Sequence, residues 1–68
     1  MKIALRQKKG NGIGADLPFE DEKNRYVGTL TFHEGHAWQV TDSTRATELG
    51  WDPFERAIKL AREQYPNG

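Results

Sequence analysis

The absence of cysteine from a chain of only 68 residues is the feature that most limits how this protein can fold. A chain of this size buries only about 60% of the surface that its unfolded form exposes, so its net stability amounts to a few kcal/mol. No disulfide can add to that stability. We therefore expect one domain over residues 1–68 that depends on a single well-packed core or on a partner.

Composition and hydropathy also limit where the protein acts. No apolar run approaches the roughly 18 residues of a membrane span, and Ile3–Leu5 is too short for the core of a signal peptide. Because the lack of cysteine gives no indication of an oxidising compartment, we expect a cytoplasmic protein. The chain has two histidines, too few for a structural zinc site by themselves, so we expect neither a metal nor a small-molecule cofactor.

The hydropathy pattern predicts an α+β fold, an antiparallel sheet of three to four strands packed against one C-terminal α-helix. Apolar and polar residues alternate in the predicted strands, as they do in half-buried strands. Pairing Phe32 with Trp38 places apolar side chains of two strands on one face and requires the three-residue turn Glu34–His36. The predicted strands are Lys2–Lys8, Arg25–His33 and Ala37–Asp42.

The predicted helix begins after Asp52, which we expect to be its N-cap, with Pro53 in the first helical position. Apolar residues then recur at helical spacing from Phe54 to Tyr65 and form one stripe that can face the sheet. Residues 46–51 allow two interpretations. Their alternation favours a strand, the interpretation we adopt, but they could also form a helical turn ended by Gly50.

Residues 10–24 are predicted to form a mobile loop, because they are rich in glycine and acidic side chains. The stretch from Gly10 to Ala15 matches a dinucleotide-binding pattern, yet Pro18 follows where that site needs a helix. His33 and His36 are three residues apart across a turn, whereas a zincin motif places them four apart on a helix. Since no nucleophile motif is present either, we expect no enzymatic activity.

Charge is balanced, with ten basic and ten acidic residues, so the basic footprint of a typical phosphate-backbone binder is absent. The charges are nevertheless clustered. Five basic residues could contact nucleic acid: Lys2, Arg6, Lys8, Lys9 and Arg25. Four acidic residues of the predicted loop could imitate nucleic acid to a protein that binds it: Asp16, Glu20, Asp21 and Glu22.

A strand containing Trp38-Gln39-Val40 precedes a helix containing the segment from Glu55 to Ala61. In this respect the run from Tyr26 to Tyr65 resembles small bacterial and phage domains with a three-stranded sheet followed by one helix. Some of these families are uncharacterised, and others are the arm-binding domains of tyrosine recombinases and plant AP2 domains. The resemblance implies DNA binding by a sheet face rich in arginine and aromatic residues. The matching positions here are Val27, Thr29, Thr31, Gln39 and Thr41.

These observations favour a non-enzymatic interaction module that binds a protein, as an accessory regulator or a phage-encoded inhibitor does. Its partner would contact the acidic loop or the polar sheet face formed by Thr29, Thr31, Gln39 and Thr41. The alternative is a nucleic-acid-binding domain that uses the basic first strand.

Overall fold

The computed structural model describes residues Lys2 to Gly68. The chain forms a four-stranded antiparallel sheet in the order β1–β2–β3–β4, followed by two helices, so the predicted α+β fold is confirmed. Across residues 2–68, neither helix is long and apolar enough to cross a membrane. The elements are β1 (Ile3–Leu5), β2 (Asp16–Asp21), β3 (Tyr26–His33), β4 (Ala37–Val40), α1 (Ser43–Leu49) and α2 (Asp52–Gln64).

The core lies between one face of the sheet and α2. Phe19 of β2 and Phe54 of α2 are fully buried, and their rings meet edge to face with centroids 5.1 Å apart. Burial of a large apolar side chain contributes about 1.5–3 kcal/mol, so a few such residues account for most of the driving force. The other core residues that are at most 1% exposed are Ala15, Leu17, Leu30, Trp38, Ala46, Ala57 and Ala61.

The hairpin of β3 and β4 has the predicted register. Phe32 lies opposite Trp38, with ring centroids 5.4 Å apart, and the turn contains the three residues Glu34–His36. Ala37, the first residue of β4, has a φ of 60°, in the left-handed region that favours glycine. The turn therefore keeps the apolar faces aligned at the expense of strain at one alanine.

The predicted loop of residues 10–24 is wrong over Asp16–Asp21, which form β2 in the interior of the sheet. Leu17 and Phe19 alternate inward and are fully buried. Pro18 between them obscured this pattern, because proline cannot donate to a sheet ladder. Its carbonyl oxygen still accepts a hydrogen bond from the backbone N–H of Arg6 at 2.8 Å.

A β-bulge in β3 reverses the expected directions of two side chains. Phe19 pairs with Gly28 and Glu20 with Tyr26, so Val27 is an extra residue without a partner in β2. Val27 joins the buried core, and the side chain of Tyr26 is 46% exposed. The predicted position of Val27 on the open face is therefore wrong.

The strand interpretation of residues 46–51 is also wrong, because Ser43–Leu49 form α1. The carboxylate of Asp42 caps this helix by accepting hydrogen bonds from the backbone N–H groups of Thr44 and Arg45. Ala46 faces the core, whereas Leu49 is 53% exposed. The alternating apolar residues of segment 46–51 therefore do not form a strand.

Helix α2 begins at Asp52 itself, so its predicted role as N-cap is wrong. The N-cap position is Trp51, which makes no capping hydrogen bond and is 42% exposed. The Asp52 carboxylate instead pairs with the guanidinium of Arg56 at 3.1 Å, one turn along the helix. At the other end, the indole N–H of Trp38 donates to the carbonyl of Tyr65 at 2.8 Å.

Candidate functional site

The sheet has a second face, which neither helix covers and which we call the outer face. Its side chains alternate along the strands with those of the core, and Gln39 and Thr41 on it are exposed. Thr29 and Thr31 are partly buried by their neighbours. The outer face comprises Ala4, Arg6, Asp16, Pro18, Glu20, Tyr26, Thr29, Thr31, Gln39 and Thr41.

Hydrogen bonds between side chains organise this face. The hydroxyl oxygens of Thr31 and Thr41 lie 2.5 Å apart, and the Thr31 hydroxyl also lies 3.3 Å from Oδ1 of Asp16. Thr31 pairs with Gln39 across β3 and β4. The sheet thus brings together on one face the four polar residues that the sequence predicted there, Thr29, Thr31, Gln39 and Thr41. The network joins β2 and β3 to Thr41, the residue that follows β4.

Tyr26 is the large aromatic residue of the outer face, and two arginines hold it. The guanidinium carbons of Arg6 and Arg45 lie 5.7 and 5.3 Å from its ring centroid, within the range of cation–π attraction. Its hydroxyl lies 2.7 Å from that of Thr29. The Nε–H of Arg45 donates to the carbonyl of Val27, the bulged residue. The bulge therefore exposes Tyr26 and also supplies the acceptor that anchors Arg45.

Sequence reasoning did not identify Arg45 or Tyr26 as site residues. A pattern of alternation places Tyr26 on the core side, because it carries no signal for a bulge that shifts the register by one residue. Arg45 lies just before a segment interpreted as a strand. The one available signal was Asp42 followed by Ser-Thr-Arg, which is compatible with a capped helix that projects Arg45 toward the sheet.

The acidic residues do not form a common surface. Glu20 accepts a hydrogen bond from Nε of Arg6 at 2.9 Å, and the Glu22 carboxylate accepts one from the backbone N–H of Lys2 at 2.9 Å. Asp21 lies at the turn between β2 and β3, where the backbone N–H of Arg25 donates to its carboxylate at 3.0 Å. This bond, with a second from the N–H of Lys23, lowers the pKa of Asp21. Only Asp16 belongs to the hydroxyl network.

The five basic residues of the nucleic-acid hypothesis lie on several different surfaces. Lys2 lines a groove between β1 and α2 that also contains glutamates. The ammonium of Lys8 donates to the carbonyl of Gly68 at 2.9 Å and lies over the ring of Tyr65. Arg25 is exposed near the turn that follows β2, and only Arg6 and Lys9 border the outer face.

Two shallow hollows lie on the outer face, and Tyr26, Thr29 and Asp16 line both of them. The first, of about 350 Å³, extends toward β1 and is completed by Arg6, Lys9 and Pro18. The second, of about 230 Å³, extends toward β4 and α1. It is completed by Gly28, Thr41, Asp42, Arg45 and Phe54.

Metal-ligating side chains are not clustered in the part of the chain that the structure describes, where no three of His, Cys, Asp or Glu could hold an ion together. His33 and His36 lie at the exposed tip of the β3–β4 hairpin, where the backbone N–H of His36 donates to the carbonyl of His33. The surface offers hydroxyls, one aromatic ring and charged groups for binding. We therefore consider it as a recognition surface.

Comparison with protein-family models, with curated proteins and with solved structures finds no match to this chain. The resemblance to recombinase arm-binding and AP2-type domains stays a prediction.

Proposed function

We propose that this chain is a non-enzymatic interaction module that binds a protein partner through its outer face. The observation that carries the proposal is Tyr26, an exposed ring held between Arg6 and Arg45 and hydrogen-bonded to Thr29. Tyrosine and arginine are enriched among the residues that contribute most to protein–protein affinity. Because these side chains are already held in place, binding would cost less conformational entropy.

The charge of the outer face favours a protein over a nucleic acid. Three cations border it, Arg6, Lys9 and Arg45, and the same number of carboxylates lie on it or at its rim: Asp16, Glu20 and Asp42. A nucleic-acid surface needs an excess of cations, since affinity comes largely from neutralised phosphates. A protein surface can present both charges in a complementary pattern.

The small size of the domain suits a protein that acts by covering part of the surface of a larger partner. A typical specific interface buries about 800 Å² on each partner. The accessible surface of the chain is 4472 Å², so such an interface would cover less than a fifth of it. A module of this kind would act as an accessory regulator or an inhibitor by covering part of a larger protein.

The test compares two variants with the same change in charge. Gln39→Arg/Thr41→Arg places two long cationic side chains on the outer face, and Glu63→Lys makes an equal change on α2, where Glu63 is exposed. Each tagged protein is incubated with a lysate of the cells that naturally make it, and captured proteins are quantified by mass spectrometry. Circular dichroism confirms that both variants fold.

We expect a protein captured by the wild type to be retained by Glu63→Lys and lost by the double variant. A nucleic-acid binder would behave in the opposite way, because two added arginines on the contact face would strengthen binding to duplex DNA. The proposal is wrong if the double variant keeps the captured protein, or if the wild type itself binds a duplex probe with submicromolar affinity at physiological salt. For the wild type we expect no duplex binding tighter than about micromolar at physiological salt.

A further inference from the structure

Asparagine is followed by glycine twice in the chain, at Asn11-Gly12 and at Asn67-Gly68. In such a pair the backbone nitrogen of the second residue can reach the side-chain amide carbon of the asparagine, and glycine has no Cβ to hinder the approach. Asparagine is accordingly counted among the thermolabile residues of proteins. By sequence alone the two pairs are equally reactive, so a difference between them has to come from the folded structure.

The first pair lies in the loop between β1 and β2. Among residues 2–68, the backbone N–H of Gly12 donates to no protein acceptor, whereas its carbonyl oxygen accepts a hydrogen bond from the N–H of Ala15 at 3.1 Å. Gly12 has a φ of 66°, and a Cβ built on it would meet no atom within 4 Å. Asn11 is exposed. The attacking nitrogen therefore has no hydrogen bond to break before it approaches the amide of Asn11.

The second pair is held by hydrogen bonds to both backbone groups of its glycine. The N–H of Gly68 donates to the carbonyl of Tyr65 at 3.2 Å, and the carbonyl of Gly68 accepts from the ammonium of Lys8 at 2.9 Å. A Cβ built on Gly68 would lie 2.8 Å from the carbonyl oxygen of Gly12, so the two glycines are closely packed. The nitrogen of Gly68 must therefore leave its hydrogen bond and turn against this packing before it can attack the side chain of Asn67.

The third asparagine of the chain, Asn24, is followed by Arg25. The backbone N–H of Arg25 donates to the carboxylate of Asp21 at 3.0 Å, and Arg25 carries a side chain that hinders the approach of its nitrogen. Of the three asparagines, Asn11 alone precedes a backbone N–H that no acceptor within residues 2–68 occupies.

We propose that Asn11 is a site of spontaneous deamidation in the folded domain. The backbone nitrogen of Gly12 attacks the side-chain amide carbon of Asn11, a carbon–nitrogen bond forms, and the amide nitrogen leaves as ammonia with the proton that Gly12 gives up. Water then opens the cyclic imide at one of its carbonyl carbons. Opening at the side-chain carbonyl leaves aspartate, and opening at the main-chain carbonyl leaves isoaspartate. This inference does not depend on the proposed function.

Both products carry a carboxylate in place of the amide, which adds one negative charge to a chain that has ten basic and ten acidic residues. Isoaspartate also lengthens the backbone by one carbon atom. Residue 11 lies outside the strands and helices, so we expect the core to stay intact. Lys9, a cation that borders the outer face, is two positions away along the chain. The modification therefore changes the charge near the rim of the outer face.

The experiment incubates the folded wild-type domain at mildly alkaline pH and follows each asparagine by peptide mass spectrometry. Trypsin places the three asparagines in three different peptides, because it cleaves after Lys9, Lys23, Arg25 and Arg62. Deamidation adds one mass unit, and chromatography separates the aspartate and isoaspartate products. We expect Asn11 to react at least about tenfold faster than Asn67 or Asn24. Reaction of Asn67 at the same rate as Asn11 would overturn the proposal.

A parallel sample in guanidinium chloride removes the structural difference between the pairs. Asn11 and Asn67 should then react at rates within about threefold of each other, because each is followed by an unrestrained glycine. If unfolding accelerates Asn11 by tenfold or more, the native loop protects this residue and the proposal is wrong. This comparison uses the wild-type chain alone.

Two glycines of the loop provide a matched pair of variants. Gly12 and Gly14 both have positive φ, and a Cβ on either would meet no atom within 4 Å, so Gly12→Ala and Gly14→Ala introduce the same kind of strain. Only Gly12 supplies the attacking nitrogen. Gly12→Ala should slow the deamidation of Asn11 by at least about tenfold, and Gly14→Ala should leave it within about twofold of the wild type. Equal rates in the two variants would refute attack by Gly12.

Discussion

A methyl group added to Gly28 would lie 2.5 Å from Cε2 of Phe54 and 3.0 Å from its Cζ. Gly28 pairs with Phe19 in the sheet, and the ring of Phe19 packs edge to face on that of Phe54. Because Gly28 has no side chain, it leaves space beside the sheet, and the ring of Phe54 from α2 occupies that space. Gly28 directly follows Val27, the extra residue of the bulge. The residue that leaves space for Phe54 is therefore next to the residue that turns Tyr26 outward.

Gly28→Ala should destabilise the domain by about 1–3 kcal/mol, because an added methyl in a close-packed core forces its neighbours to move. Phe54→Leu in the same chain should recover part of that loss by removing the atoms in conflict, which makes the two substitutions non-additive. Urea unfolding of the single and double variants measures this. Purely additive effects would contradict the contact between Gly28 and Phe54.

Phe54→Ala should cost about 3–5 kcal/mol, since the ring is fully buried. Ile58→Ala should cost less, because Ile58 is half-buried at the edge of the core. The comparison tests how α2 is rotated against the sheet. Thermal melts in which Ile58→Ala is the more harmful substitution would mean that another side of the helix faces the core.

Ala37→Gly should stabilise the domain by about 0.5–1 kcal/mol. Glycine adopts the left-handed backbone without steric strain, and this gain exceeds the additional conformational entropy that glycine loses on folding. Ala4 is the matched control. It is exposed in β1 and is not among the residues with positive φ, so Ala4→Gly should destabilise by a similar amount. Melting temperatures that move in the same direction for both variants would refute the strain at Ala37.

Asp21 should make stability depend on pH in the acid range. The backbone N–H of Arg25, and then that of Lys23, hold its pKa below the ordinary value, so the folded state binds this proton less readily than the unfolded state. Its contribution is full above the unfolded pKa of about 3.9 and is lost as the pH falls through the lower folded value. Asp21→Asn should therefore be less stable than the wild type at about pH 7, with a smaller difference at about pH 3. Urea unfolding at both pH values checks this, and an equal difference at both would contradict it.

The parts of the fold that the sequence predicted are those in which local pattern and tertiary packing agree. The hairpin register followed from Phe32 and Trp38, because any slip would have mixed apolar and polar faces. The stripe of α2 followed from helical spacing in the same way. The polar outer-face residues were grouped correctly for the same reason, since their positions alternate with core residues.

The missed features depend on information that local pattern does not contain. The proline in β2 concealed a strand whose alternation is short, and the bulge at Val27 changes register without a distinctive residue type. Helix α1 buries only Ala46, so its apolar pattern is too sparse to distinguish it from a strand. The contacts of Arg6 and Arg45 with Tyr26 depend on two of these features together, the bulge at Val27 and helix α1.

The unequal burial of the two tryptophans gives the domain an internal pair of fluorescent reporters. Trp38 is fully enclosed and its indole N–H is occupied by the Tyr65 carbonyl, whereas Trp51 is 42% exposed at the junction of the helices. Iodide in solution should therefore quench Trp51 and spare Trp38. A Trp51→Phe variant would therefore leave Trp38 as the single emitter, enclosed in the core, and its spectrum would report the unfolding of the domain.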